Sequence, residues 1–409
     1  MTSRRKFIKA GLLSGLTAFP LASYSNAPAF DLQEHAQDDL YTRVRKQLLV
    51  PPNRIYLNTG TLGPSPLPVI EKVAAITRQL EANPGPENFG SLNSEIEQVR
   101  EKVARFIHAE RNEVVLTRNT TEGLNLIAQA LHLNAGDEII TTTLEHGGLE
   151  VGLDFLKATR GVTVKKIELP LPVTNPDEVV RVIEKSIGPS TRMLVLSHVN
   201  TITGLVMPFQ ALSKITQSKN IFLVADGAQA AGMMALNVAH MGVDAYATSG
   251  HKWLLGPKET GFLYLKKDFQ EQVKPVFTFS GFAAYSASSG TRNVANLIGL
   301  GTTLDWHEQL GVEKIQSQTK ALAAYCLNEL KKIKTISILS PEEPSLASGI
   351  VSFSPQTIKN NQVAEKLAAD EIIVKVLPQL NGIRISCHCF VSKKDLDQFI
   401  TALKKALPA

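Results

Sequence analysis

Residues 224–267 read VADGAQAAGMMALNVAHMGVDAYATSGHKWLLGPKETGFLYLKK. Three short runs in and beside this stretch are almost continuously apolar, at 221–225, 243–248 and 261–265. Short apolar runs without polar alternation are typical of strands that are covered on both faces of a sheet. We therefore expect three strands of one buried sheet here, the last of them the candidate for an antiparallel strand.

The chain before this stretch repeats the same pattern of apolar runs separated by amphipathic segments. Further strands are predicted at 54–58, 114–116, 138–142 and 192–197. Helices are predicted at 68–80, 93–108, 122–132, 147–159, 176–187 and 208–218, with a break at 83–90. Strands that alternate with helices indicate an α/β fold in which helices cover both faces of a mostly parallel sheet.

The pattern changes after about residue 300. Helices are predicted at 297–309, 312–332, 360–369 and 392–406, and short strands at 349–353 and 382–387. This ending is typical of an α+β unit. We expect a large domain at 81–296 and a smaller α+β domain built from both chain ends, 28–80 and 297–409.

Composition supports a globular protein. The 409 residues are 44% hydrophobic and 20% charged, which excludes a disordered, collagen-like or coiled-coil chain. The formal net charge is +5, and the first 27 residues hold four basic and no acidic side chains, so the remainder is near neutral at +1. A near-neutral chain gives no general electrostatic reason to bind nucleic acid or a membrane surface.

Residues 1–27 have the features of an export signal. A basic start containing Arg4 and Arg5 is followed by about a dozen mostly apolar residues from Ala10 and by small residues up to Ala27. The run SRRKFIK also resembles the twin-arginine motif, and an ordinary secretory signal is the alternative. We expect export by the twin-arginine machinery, cleavage near Ala27, a periplasmic location and no stable membrane anchor.

The chain has three cysteines, Cys326, Cys387 and Cys389. An odd and low count excludes a disulfide framework. Cys387 and Cys389 flank His388, but a metal site would need further ligands elsewhere. We therefore expect no metal, and a buried strand on which the two thiols share one face.

Polar side chains follow five successive predicted strands. Since parallel strands bring their carboxyl ends to one edge of a sheet, these residues are expected to meet there. Thr120 and Thr121 begin a helix, whose N-terminal N–H groups suit an anion. Asp226 is costly to bury unless it meets a cation, and Lys252 needs a bond or a partner in the same way. Any one of these residues could be an ordinary polar group of a loop. Five polar segments at five successive strand ends together indicate a site. The segments are 117–123, 144–148, 197–201, 226–229 and 249–253.

The run 224–267 resembles the cofactor core of the class V aminotransferase family, whose members bind pyridoxal 5′-phosphate (PLP). The runs TRNTTEGLNLIA, GDEIITTTLEH and SGTRNVANLIGLG match in the same order. The similarity extends over roughly 54–402. It implies the PLP-dependent fold type I, with a sheet of seven strands in the large domain, and a homodimer with shared sites. The family includes cysteine desulfurases, selenocysteine lyases and isopenicillin N epimerase-like enzymes.

The resemblance assigns roles around the cofactor ring. Lys252 matches the lysine whose amine forms a Schiff base with the cofactor aldehyde. Asp226 would hold the ring nitrogen protonated, and Gln229 would donate to the phenolic oxygen. His146 would stack on the ring. Lys252, His146 and Asp226 are thus the predicted catalytic residues.

The resemblance also assigns residues that would bind the cofactor phosphate and the substrate. The residues expected to hold the phosphate are Thr120, Thr121, Ser249 and His251. Thr291 would reach the phosphate of the neighbouring subunit, and Arg384 would receive a substrate α-carboxylate. Asn200 and Thr201 are both candidates for the ring-oxygen contact, because many family members have asparagine where Thr201 aligns.

One departure bears on the reaction. Desulfurases carry a nucleophilic cysteine upstream of the carboxylate-binding arginine, whereas 369–382 here is short and has none. With Arg292 after Thr291, the chain resembles the isopenicillin N epimerase-like branch more. We expect a PLP enzyme acting at the α-carbon of an amino acid or amino-bearing metabolite, by transamination or epimerisation. The alternatives are a desulfurase- or selenocysteine lyase-like enzyme, in particular a cysteine-independent lyase, and a non-catalytic exported binding protein.

Overall fold

The structure is a computed structural model that describes residues 39–273 and 290–408. Its strands are β1 Ile55–Tyr56, β2 Val114–Thr117, β3 Glu138–Thr142, β4 Thr163–Ile167, β5 Thr191–Ser197, β6 Phe222–Asp226, β7 Ala245–Ser249, β8 Gly261–Leu265, β9 Ile336–Ile338, β10 Ile350–Pro355, β11 Ile372–Ile373, β12 Lys375–Leu377 and β13 Gly382–Ser386. Its helices are α1 Leu40–Arg45, α2 Leu67–Ala82, α3 Pro84–Phe89, α4 Ser91–Ile107, α5 Thr120–Ala130, α6 Gly147–Arg160, α7 Pro176–Ser186, α8 Phe209–Ser218, α9 Val238–Met241, α10 Val294–Leu310, α11 Val312–Leu330, α12 Asn360–Ala369 and α13 Lys393–Ala406.

A seven-stranded sheet forms the centre, in the order β2-β8-β7-β6-β5-β3-β4. β8 runs antiparallel to both of its neighbours, and the other pairs are parallel. The predicted α/β fold with a mostly parallel sheet is therefore confirmed, including β8 as the antiparallel strand.

Both faces of this sheet are buried at its inner strands, which explains the continuous apolar runs. Successive residues of β6 belong to different apolar clusters: Phe222 and Val224 lie in one, and Leu223 and Ala225 lie in the other. Because side chains alternate between the faces of a strand, a strand covered on both sides needs apolar residues at every position.

The two ends of the described chain share a third apolar cluster. Four strands in the order β12-β13-β10-β9 form an antiparallel sheet, and β1 pairs in parallel with β11. Val44 and Leu57 pack in the same cluster as Ile383 and Phe399. The domain boundaries within the chain stay a prediction.

The structure differs from the expectation in several local features, and the short strands β9, β11 and β12 were not predicted. β4 was missed because Lys165 and Lys166 interrupt its apolar run at the edge of the sheet. The expected break at 83–90 contains helix α3, since Pro84 is at its first position, where proline is tolerated. The cysteines expected on a strand, Cys387 and Cys389, are buried but lie just after β13.

The predicted export signal at 1–27 lies outside the described residues. Within 39–273 and 290–408, the helices are too short or too polar to cross a membrane.

Candidate functional site

The carboxyl ends of three adjacent strands bring polar side chains to one edge of the seven-stranded sheet. β5, β6 and β7 end at Ser197, Asp226 and Ser249. Ser197 is paired in register with Asp226, and Asp226 with Ala247 on β7. The residues that the sequence placed after separate strands therefore meet at one site.

Asp226 is a buried acid that two basic side chains influence. Its side chain is 4% exposed, and its Oδ1 accepts a 2.9 Å hydrogen bond from the Ala228 N–H. Burial raises the pKa of the carboxyl, whereas this hydrogen bond and the charges of Lys252 and His146 lower it. The acid is thus placed where a further cation would stabilise its ionised form.

Lys252 follows β7, three residues after Ser249. Burial lowers the pKa of its ammonium to about 8, with the charge of Asp226 acting in the opposite direction and that of Arg384 lowering it further. The uncharged amine, which is the form that attacks a carbonyl group, is therefore more populated near neutral pH than in an ordinary lysine.

His146 caps the N-terminus of α6. Its Nδ1 accepts a 3.0 Å hydrogen bond from the Gly148 N–H, so the neutral ring carries its proton on Nε2. Partial burial and the charge of Lys252 lower the pKa of the imidazole, while Asp226 raises it. The lowered pKa favours the neutral ring, which is the form that suits stacking on an aromatic ligand.

The start of α5 and the end of β7 form the predicted anion site. The Thr120 N–H donates to the Ser249 Oγ at 3.0 Å, and the two hydroxyl oxygens are 2.8 Å apart. Thr121 is exposed beside them. The Nδ1 of His251 is buried without a hydrogen-bond partner in the described part of the chain. Hydroxyls, a helix N-terminus and an unpartnered imidazole nitrogen together suit a phosphate group.

Gln229 is held in one orientation by three groups. Its Nε2 donates to the Gly60 carbonyl at 2.8 Å and to the Thr201 Oγ1 at 3.1 Å. Its Oε1 accepts from the indole N–H of the fully buried Trp253 at 2.8 Å. The amide nitrogen is therefore directed toward Thr201. The indole N–H determines this orientation, because it needs the amide oxygen as its acceptor.

Arg384 on β13 lies across from these groups and is 3% exposed. Nη1 donates to the Thr201 Oγ1 at 2.8 Å and to its carbonyl at 3.0 Å, and Nη2 donates to the Thr61 Oγ1 at 3.0 Å. Burial lowers the pKa of the guanidinium to about 10, so it stays charged at neutral pH. A buried, oriented guanidinium is well suited to a carboxylate.

Asn200 and Thr201, the two candidates for one contact, have different positions. The Asn200 amide binds the Leu144 carbonyl at 3.0 Å and accepts from the N–H groups of Ile202 and Thr203 at 3.0 Å. Asn200 therefore stabilises its own turn, and Thr201 is the one whose side chain contacts Gln229 and Arg384.

Thr291 is exposed and lies just before α10. The next residue, Arg292, fixes this segment to the sheet by donating from Nη2 to the Leu116 carbonyl at 2.8 Å. The proposed contact of Thr291 with a neighbouring subunit stays a prediction.

Sequence reasoning missed the contribution of the loop after β1. The Gly60 N–H donates to the Ser386 Oγ at 3.0 Å, and a Cβ on Gly60 would lie 2.7 Å from the Gln229 Oε1. Only glycine allows this approach, because any side chain would collide with the amide. The available signal was the glycine-rich loop that follows a strand.

Glu145 is a second buried acid for which the sequence predicted no role. Its side chain is 7% exposed and accepts hydrogen bonds from the Thr142 hydroxyl at 2.8 Å, the Ser197 N–H at 3.2 Å and the Ser197 hydroxyl. Burial raises the pKa of Glu145 to about 7, the hydrogen bonds oppose this, and the charge of Asp226 raises it further.

These groups fit the cofactor that the resemblance implies. Lys252 offers an amine for the aldehyde, Asp226 an acid for the ring nitrogen, and the His251 Nδ1 an unsatisfied group for the phosphate. The site therefore contains one matching group for each functional part of PLP.

A comparison with protein families decides the assignment. The family model described as Aminotransferase class-V matches residues 55–399, which is most of the chain. The chain belongs to the class V aminotransferase family. Members of this family use PLP, and the chain is accordingly a PLP-dependent enzyme of fold type I; a non-catalytic binding protein is not supported.

Individual relatives in this family carry different activities. A probable cysteine desulfurase of Halalkalibacterium halodurans is 29% identical over 384 residues, covering 86% of this chain and 92% of that protein. An isopenicillin N epimerase of Amycolatopsis lactamdurans is 28% identical over 393 residues, covering 89% of this chain and 98% of that protein. A structure of C-DES with glycine covalently linked to its PLP has the same fold, with a TM-score of 0.80 and 24% identity. The match covers 88% of this chain and 98% of that one.

Proposed function

We propose that this class V enzyme acts at the α-carbon of an amino acid or amino-bearing metabolite, by transamination or epimerisation. The observation that carries the proposal is the content of the site, which holds a lysine, an acid and a buried arginine but no thiol. All three cysteines lie within the described residues and are fully buried: Cys326, Cys387 and Cys389.

PLP, when bound, supplies a protonated ring that delocalises the electrons left on an α-carbon. The residues of this chain do the rest. Arg384 binds the α-carboxylate, and Asp226 holds a proton at the ring nitrogen. The Lys252 Nζ takes the α-proton and returns it, as its lowered pKa suits. His146 covers the ring and excludes water.

A cysteine desulfurase-like activity is the second candidate, because the relatives' names support it equally. A persulfide route needs an accessible thiolate near the substrate. Cys389 is fully buried, and burial raises the pKa of its thiol well above the usual value, so the thiolate is disfavoured. The form of this activity that fits the site is a lyase that uses no cysteine of its own.

The two candidates are separated by incubating the PLP-loaded enzyme with single L-amino acids in D2O. We expect deuterium at the α-carbon, with formation of the D-enantiomer or, with a 2-oxoacid present, of a new amino acid. Release of sulfide or selenium from cysteine, cystine or selenocysteine, without such exchange, would instead establish the lyase. Lys252→Ala is the control and should give neither product.

We further propose a homodimer and export to the periplasm by the twin-arginine route. The support for export is the basic and apolar pattern of residues 1–27. Replacing Arg4 and Arg5 together by lysine keeps the charge and should abolish the periplasmic fraction, with Lys9→Arg as the charge-matched control. An unchanged periplasmic yield would contradict the twin-arginine route and support an ordinary secretory signal.

A further inference from the structure

The sheet that carries Arg384 places a second cation beside it. Lys375 on the edge strand β12 is the register partner of Arg384 on β13, and the strands are antiparallel. Directly opposed residues of antiparallel strands project to the same face, with Cβ atoms about 5 Å apart. Lys375 and Arg384 therefore share the face that contacts the active site.

The two cations have different environments. Arg384 is buried and bound to Thr201 and Thr61, as described above. Lys375 is exposed, and its ammonium has no hydrogen bond or ion pair with any residue in 39–273 or 290–408. Partial burial and the charge of Arg384 both lower the pKa of Lys375, yet nothing in the described chain compensates the repulsion.

The charge of Lys375 reaches the catalytic groups. Together with Lys252 and Arg384 it lowers the pKa of His146, so all three cations act on the same ring. The acid that acts on this ring in the opposite direction, Asp226, is buried at the end of the seven-stranded sheet. The open side of the cleft therefore has an excess of positive charge, which attracts anionic ligands.

From this arrangement we propose that Lys375 binds an anionic group on the substrate side chain, so that the preferred substrates are amino acids with a second acidic group. This inference rests on the proposed function, in which Arg384 already binds the α-carboxylate. A second anion beside the first would relieve the repulsion between the two cations. The flexible stem of lysine would allow acidic side chains of more than one length.

The test measures binding to the PLP-loaded enzyme by calorimetry, so that it does not depend on turnover. The probes are glutarate, a dicarboxylate, and pentanoate, its singly charged counterpart with the same number of carbons. We expect glutarate to bind at least about tenfold more tightly, as for one additional charge-assisted contact. This ratio should fall close to one in Lys375→Gln and be retained in Lys375→Arg and in the exposed control Lys394→Gln.

A glutarate preference that is missing in the wild type, or unchanged in Lys375→Gln, would overturn the inference. Turnover of glutamate and glutamine, which have the same shape, separates this result from a failure of the proposed function. Turnover of glutamate and glutamine with equal kcat/KM would refute the role of Lys375 and leave the proposed function standing. A Lys375-dependent glutarate preference without turnover of any amino acid would support the anion site and contradict the proposed function.

Discussion

In the proposed mechanism, Asp226 is the side chain on which the chemistry depends most. We predict that Asp226→Asn, which keeps the shape and removes the charge, lowers kcat by roughly 100-fold or more, the scale for losing a preorganised electrostatic contact. Thr120→Ala should mainly weaken PLP binding, by roughly tenfold, because it removes one hydrogen-bonding group at the anion site. Steady-state kinetics over a series of PLP concentrations measure both the kcat at saturation and the apparent PLP affinity, and a smaller kcat loss in Asp226→Asn than in Thr120→Ala would contradict the assigned roles.

Glu145 gives a pH dependence of stability with a defined sign. Its pKa is about 7 in the folded protein and near 4.5 in the unfolded chain, so the folded state retains a proton that the unfolded chain loses between these values. Stability should therefore fall as pH rises through this range, by at most about 3 kcal/mol from this group.

The glutamine in Glu145→Gln is neutral at every pH, so this variant should not lose stability through this group as the pH rises. We predict that its Tm relative to the wild type rises between about pH 5 and about pH 7 and then levels off. The exposed control Glu365→Gln should show no such trend. A Tm difference between Glu145→Gln and the wild type that is constant with pH would exclude a pKa near 7 for Glu145.

The sequence predicted those site residues that follow a strand directly. Asp226 and Ser249 end continuous apolar runs, so their place at the sheet edge could be inferred from the chain alone. Gly60 could not be found in this way, because the Gln229 side chain that it contacts is 169 residues away in sequence. Lys375 is close to Arg384 in sequence, but the short and partly exposed strand that places it opposite Arg384 was not predicted. The different hydrogen-bond partners of Asn200 and Thr201 also became visible only in the structure, and the ring-oxygen contact stays a prediction.

At the scale of elements, burial decides which strands the sequence reveals. β6 and β7 are buried at every position and were predicted to within two residues. β4 has a mostly exposed pattern, and β11 and β12 are only two and three residues long. Such strands are too short or too polar to form a long apolar run, so their pairing rather than their composition defines them.

Helix α5 must lie close to the sheet to hold the anion site. A Cβ on Gly123 would lie 2.8 Å from the Cβ of Ala247 on β7, and the same helix presents Thr120 to Ser249. We predict that Gly123→Ala costs roughly 1–3 kcal/mol by overpacking and also weakens PLP binding. Gly188→Ala, where the added methyl meets nothing within 4 Å, is the control. Equal Tm and PLP affinity in the two variants would show that this close approach is unimportant.

At the scale of the whole molecule, the proposed homodimer predicts complementation. Thr291→Ala should weaken PLP binding roughly tenfold if its hydroxyl contacts a charged phosphate. A heterodimer of Thr291→Ala with Lys252→Ala has one site in which an intact Lys252 meets the partner's intact Thr291. That site should regain wild-type PLP affinity and turnover, measured on differently tagged subunits purified together. Purified heterodimers that are no better than Thr291→Ala homodimers would exclude a shared site.

The central claim is that Lys252 holds PLP at the sheet edge beside Asp226. The visible absorbance spectrum of the purified protein, beside that of Lys252→Ala, tests it most directly. We predict a yellow wild-type protein whose visible band is lost or shifted in the variant, because the band depends on the bond between the lysine and the cofactor. A wild-type protein that stays colourless after PLP is added, or two identical spectra, would contradict the account.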